Sequence, residues 1–145
     1  MKNLKWAIAV AAFLLLSADA ALACRCPKIE ASADLSPYAA AFAGRAVKSK
    51  RLPTGERVTF RVERVWKGEV TPEVSLLLQR ASDPGVFSSC YIGFQKGGSY
   101  LVYALKSRDG STLTTHKCTR TRRVAEAEED FSLLGEGQVP QAKEP

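Results

Sequence analysis

Cys24-Arg25-Cys26 sets the tightest limit on how this chain can fold. The segment ahead of it has the pattern of an export signal. Lys2 and Lys5 give a positive start, Trp6 to Leu16 is an apolar run, and Ala21-Leu22-Ala23 is the small-x-small pattern that signal peptidase accepts. The run is shorter than the roughly 20 residues that a membrane-spanning helix needs. The expectation is a cleaved signal peptide over 1–23, a secreted or periplasmic protein, and no transmembrane segment. The cysteines number 4: Cys24, Cys26, Cys90 and Cys118. An even count in an oxidising compartment reads as two disulfides. A bridge across one intervening residue is sterically poor. Cys24 and Cys26 are therefore expected to reach separately to Cys90 and Cys118, in one of two pairings. Each bond closes a long loop, worth about 4 kcal/mol in the chain-entropy model.

Those staples would pin the start of the mature chain to its distant parts. Cleavage after Ala23 would leave Cys24 first, with a free α-amine. A free amine beside its own carbonyl, held rigid, can chelate a metal. A lipid anchor at Cys24 would consume both the amine and the thiol. That signal favours a Leu-like residue three before the cysteine and a small one two before it; Ala21 then Leu22 is the reverse order, so an unlipidated Cys24 is expected. Zinc binding by the four cysteines themselves is opposed by oxidising export. No metal or cofactor of the protein's own is expected.

Residues 24–135 read as one domain. Arg57 to Glu63 alternates with period two, placing Val58, Phe60 and Val62 on one buried face. Val65-Trp66 breaks the alternation, as a bulge or strand end would, and Lys67-Gly68-Glu69 follows as a turn. Val74 to Leu78, Tyr100 to Leu105 and the Thr-rich Ser111 to Lys117 are further strands, the last two joined by a hairpin at Arg108-Asp109-Gly110. Phe42 to Val47 is a fifth, with Gly44 marking a bend or bulge. Five short strands predict a mainly β domain, a small antiparallel barrel or sandwich. A short flanking helix is expected over Leu35 to Ala41, with Ser36 as N-cap and Pro37 in the first turn. A C-terminal helix is expected over Val124 to Leu134, burying Val124, Ala127, Phe131 and Leu134 and turning Glu126, Glu128, Glu129 and Asp130 to solvent, with Gly135 ending it. Residues 136–145 have few large apolar groups and read as a disordered tail. Trp66 and Tyr103 are expected in the core.

Signs of catalysis are absent from the sequence. The single histidine, His116, lies in a Thr-rich strand and is expected to be structural. No HExxH, P-loop, GxSxG or GxGxxG pattern occurs. The chain is therefore not expected to be an enzyme. Its net charge of +6 has two local sources: Lys48, Lys50 and Arg51, and then Lys117, Arg120, Arg122 and Arg123 around Cys118. Such clusters can contact polyanions. For an exported domain the relevant polyanions are acidic glycans or envelope polymers rather than nucleic acid.

A Cys-x-Cys at a mature N-terminus resembles the tissue inhibitors of metalloproteinases and related netrin-like domains. Phe42-Ala43-Gly44-Arg45-Ala46-Val47-Lys48 resembles their first strand. Ser89-Cys90-Tyr91 falls where they carry an internal cysteine. Tyr100-Leu101-Val102, Asp109-Gly110 and His116-Lys117-Cys118 resemble their late hairpin. The resemblance implies a five-stranded OB-type barrel with flanking helices, and the pairings Cys24–Cys90 and Cys26–Cys118. It further implies that Cys24 chelates the catalytic zinc of a target metalloendopeptidase through its amine and carbonyl, with Arg25 entering the pocket beside the metal. Arg25 departs from the small polar residue of the animal inhibitors, whose extra disulfides and second domain are missing too. The alternative implication is a non-inhibitory netrin-like module that binds envelope polyanions or a protein partner.

Overall fold

The computed structural model describes residues 26–53, 55–79 and 90–142. Six strands occur in them: β1 (Ala40–Leu52), β2 (Gly55–Lys67), β3 (Glu73–Leu78), β4 (Ser99–Lys106), β5 (Leu113–Thr114) and β6 (Arg122–Arg123). The order β1-β2-β3-β5-β4 closes on itself because β4 also pairs with β1, and β6 adds to β4. The chain is mainly β, and its five-stranded ring is an OB-fold-like barrel. Its pairings are antiparallel except the short parallel contact of β3 with β5, at Leu76 and Leu113.

Alternation along the strands fills the barrel. Phe42 and Ala46 of β1, Val58, Phe60 and Val62 of β2, Leu76 and Leu78 of β3, and Tyr100, Val102 and Ala104 of β4 form one buried cluster. Phe60 meets Phe94 and Phe42 edge-on, at centroid distances of 5.0 and 5.7 Å. Burying each such ring is worth about 1.5–3 kcal/mol, so the inward-facing side chains favour closure of the ring. A second cluster lies outside the barrel. There Ala41, Leu101 and Tyr103 are covered by Ala127, Phe131 and Leu134, with Leu35, Tyr38 and Trp66 around them.

The long β1–β2 hairpin is not a regular ribbon. Its register shifts between Ala41 and Phe42, between Ala43 and Gly44, and between Ala46 and Lys48. The first shift makes Trp66 an extra residue, so the break in pattern at Val65-Trp66 is a bulge, and the strand runs on to Lys67. Gly44 sits at the second. A Cβ there would lie 2.6 Å from the Arg61 carbonyl oxygen, so close approach of the two strands requires glycine.

Four expectations need correction. Leu35 to Ala41 forms no helix. Tyr38 N–H closes a turn onto the Leu35 carbonyl, Ala39 N–H donates to Ala104 O, and β1 begins at Ala40. Pairing with β4 and burial of the small alanines outweigh local helical preference. The strand over Ser111 to Lys117 shrinks to Leu113–Thr114, because the chain then leaves the ladder. The late helix starts as a 3-10 turn, Val124–Glu126, and continues as α1 (Glu128–Leu134), in which Asp130 is buried rather than solvated. Finally, the first part of the segment after α1, as far as Gln138, is held. Val65 and Gln138 exchange two backbone hydrogen bonds of 2.8 Å each, and Trp66 Nε1 donates to Gly135 O at 3.0 Å.

Candidate functional site

The start of the described chain has little core of its own. Cys26, Pro27, Lys28, Ile29 and Glu30 are all exposed. Cross-links fix this arm instead. Cys26 is disulfide-bonded to Cys118, with 5.0 Å between Cα atoms and 92 residues between them in sequence. Cys90 is also disulfide-bonded. Its expected partner, Cys24, lies outside the described residues, as do Arg25 and the signal segment 1–23. The two described anchor points are neighbours, since Lys117 N–H donates to Cys90 O at 3.2 Å, one residue before Cys118. Any segment tied to both is held within a small area.

The loop that carries Cys118 is itself locked. Between β5 and β6, β4 lacks a strand partner at Tyr103. Thr121 Oγ1 accepts from Tyr103 N–H at 2.9 Å, and Thr115 Oγ1 donates to Tyr103 O at 2.9 Å. Thr119 completes the cluster, 2.8 Å from both Thr115 and Thr121. All three hydroxyls are buried and bonded, which avoids the cost of unpaired polar groups. His116 is exposed, and its Nδ1 accepts from Cys118 N–H at 3.1 Å, a structural role in the same turn.

Arg120 is the centre of this region. Its side chain is 8% exposed. Nε and Nη2 donate to the two oxygens of Asp130 at 2.7 and 2.9 Å, a bidentate pair. Nη1 donates to the Ile29 carbonyl at 2.6 Å, which ties the N-terminal arm to the barrel. Tyr103 Oη also donates to Asp130, at 2.8 Å. Burial pushes the Asp130 carboxyl up. The hydrogen bonds from Arg120 and Tyr103 and the charges of Arg120 and Arg122 outweigh it and hold the carboxyl below its ordinary value. Tyr103 is pushed up, first by burial and then by donating to Asp130. Tyr38 packs on the Tyr103 ring at 4.9 Å and is pushed up by the same burial.

This arrangement changes the reading of the late basic cluster. Lys117 is exposed, but Arg120 is internal and fully engaged, so it is not a surface contact. Arg122 is half-buried; its Nε donates to Arg120 O at 3.1 Å and lies 3.8 Å from Asp130. Arg123 donates to Gln95 at 2.9 Å and lies over the Tyr100 ring. The four residues do not share one open patch. Asp130 and the three threonines escaped the sequence reading, although one signal was present: Ala127, Asp130, Phe131 and Leu134 share one helical face by spacing.

Among the described residues, no three His, Cys, Asp or Glu side chains gather to hold a metal, and no helix is long and apolar enough to cross a membrane. Neither a comparison with protein-family models nor one with characterised proteins finds a match to this chain.

Proposed function

We propose that the exported chain begins at Cys24 and inhibits a zinc metalloendopeptidase. The Cys24 α-amine and carbonyl bind the target's catalytic zinc as a five-membered chelate, taking the open position that water holds. Arg25 enters the pocket beside the metal. The amine must be neutral to donate; its free pKa is near 8, and metal binding drives off the proton. The resemblance to netrin-like inhibitors supports this reading, as does the OB-like barrel. One observation carries it. The Cys26–Cys118 disulfide, the adjacent Cys90 and the Arg120–Ile29 bond together restrain the residues that follow Cys24-Arg25. A restrained arm lowers the ordering cost of docking.

The test uses the exported protein, first sequenced from its N-terminus, against a panel of zinc endopeptidases. Inhibition is expected from the chain that starts at Cys24. It is expected to vanish when one alanine precedes Cys24 or when the α-amine is acetylated, with folding unchanged. Unaltered potency in either form would rule out chelation and leave the barrel as a binding module.

A further inference from the structure

The β1–β2 register brings together cations that are scattered in sequence. Val58, Phe60 and Val62 point into the barrel, so Arg57, Thr59 and Arg61 point outward. Arg45 lies opposite Arg61, Lys48 opposite Thr59, and Lys50 opposite Arg57. Arg45, Lys48, Lys50, Arg57 and Arg61 therefore share one outer face, and all five are exposed. Arg51 pairs with Glu56, one step out of phase, and belongs to the other side. The basic cluster is thus not the consecutive run Lys48, Lys50, Arg51 but a two-stranded stripe. From Arg57 to Arg61 it extends about 13 Å at roughly 3.3 Å per residue.

Two features set this stripe apart from ordinary surface charge. Arg45 faces Arg61 and Lys50 faces Arg57, and like charges directly opposite destabilise a strand pair. Among the described residues, none of the five cations enters an ion pair or a side-chain hydrogen bond. The nearest acid by register is Glu73, across from Arg61. Arg57 has Leu77 rather than an acid across from it, so the like-charged pair of Lys50 with Arg57 holds repulsion that a bound anion would relieve. Three of the five are arginines, whose planar fork suits sulfate, phosphate or carboxylate groups.

We propose that the outer face of the β1–β2 hairpin, formed by Arg45, Lys48, Lys50, Arg57 and Arg61, binds an acidic polysaccharide. A stripe of five cations matches a repeating chain of anionic groups rather than a single ion. Nucleic acid fits less well, because single strands are held by stacking on aromatic side chains. The hairpin's aromatics are engaged elsewhere: Phe42 and Phe60 fill the barrel, and Trp66 packs on Phe131 at 5.6 Å. A membrane surface is also disfavoured, because the residues between the cations present no large exposed apolar group for insertion. The stripe does not depend on the zinc-chelating arm.

The experiment measures binding of the exported protein to dextran sulfate, with oligo-dT and phosphatidylglycerol vesicles as competing probes. The wild type is expected to bind dextran sulfate best, with affinity falling at least about tenfold between about 0.05 and 0.3 M salt. Lys50→Ser with Arg61→Ser should weaken binding by about tenfold or more, while leaving one member of each like-charged pair and therefore not lowering thermal stability. Lys117→Ser with Arg123→Ser, which removes the same charge elsewhere, should change it less than about twofold. Equal loss in the two double variants would reduce the effect to net charge and overturn the proposal. Tighter binding to oligo-dT or to vesicles, or no binding to dextran sulfate at low salt, would overturn it as well.

Discussion

Arg120 shows how one side chain can serve both stability and the candidate site. Its charge is out of water and is balanced by Asp130, while the same guanidinium holds the Ile29 carbonyl of the arm. Removing one partner of such a pair leaves an uncompensated buried charge, at a cost of about 3–5 kcal/mol. Arg120→Met is therefore expected to lower unfolding stability by about that amount, measured by denaturant titration. Arg120→Met combined with Asp130→Leu should cost clearly less than the sum of the two single changes, because the stranded charge is gone. The pH dependence has a fixed sign. Asp130 is held below the ordinary carboxyl value, so its contribution is complete above the ordinary value and is lost as pH falls through the lower, folded one. Acid titration of the wild type should show this loss below about pH 4, and Asp130→Asn should remove it. Asp109 is lowered too, to about 2, by hydrogen bonds from Ser107 and Ser111. It sits in an exposed turn, so the difference between wild type and Asp130→Asn isolates the buried group.

The strands were legible because period-two alternation follows directly from which face is buried, and Val58, Phe60 and Val62 carry that signal without exceptions. Elements governed by distant partners were not. Leu35 to Ala41 has a capping serine and a well-placed proline, yet the free edge of β4 draws Ala40 and its successors into a strand. The Thr-rich segment has β propensity throughout, but Thr115, Thr119 and Thr121 spend their hydroxyls on each other and on the Tyr103 backbone, and the ladder stops. Of the candidate site, spacing left two cysteine pairings open, and the resemblance implied the Cys26–Cys118 bond that is present. The Arg120–Asp130 contact was not legible: helical spacing puts Asp130 on the face of Ala127, Phe131 and Leu134, but nothing local names Arg120 as the partner that lets an acid be buried there. The bulge at Gly44 was anticipated from glycine within a strand, and it yields a prediction for the hairpin as a unit. Gly44→Ala forces a methyl against the Arg61 carbonyl and Val62 Cα, at 2.6 and 3.1 Å, both of them backbone. The two longest strands would have to separate, at a cost of about 1–3 kcal/mol. Gly93→Ala, whose nearest contact would be the Tyr91 ring at 3.4 Å, should stay within about 0.5 kcal/mol of wild type. Comparable denaturation midpoints for the two variants would count against a tightly closed bulge.

For the molecule as a whole, barrel and arm are stabilised by different means, and that difference can be measured. The barrel is closed by hydrogen-bonded strands around an aromatic and aliphatic core, all of it built from residues after Ala39. The arm from Cys26 to Glu30 is exposed and depends on the Cys26–Cys118 bond and the Arg120 contact. A bond that joins residues 92 apart restricts the unfolded chain strongly, worth about 4–5 kcal/mol in the chain-entropy model. Cys26→Ser with Cys118→Ser should therefore lower the denaturation midpoint while leaving the strand signature in circular dichroism unchanged, because no barrel contact is removed. The folded arm should then fray, with backbone NMR order parameters of residues 28–31 falling while those of Phe60 and Val102 stay unchanged. Loss of order confined to the arm would show that its order comes from the cross-link, as a rigid chelating terminus requires. Unchanged order parameters in the arm would mean that the disulfide acts on global stability alone, and that the arm is ordered by the barrel without it.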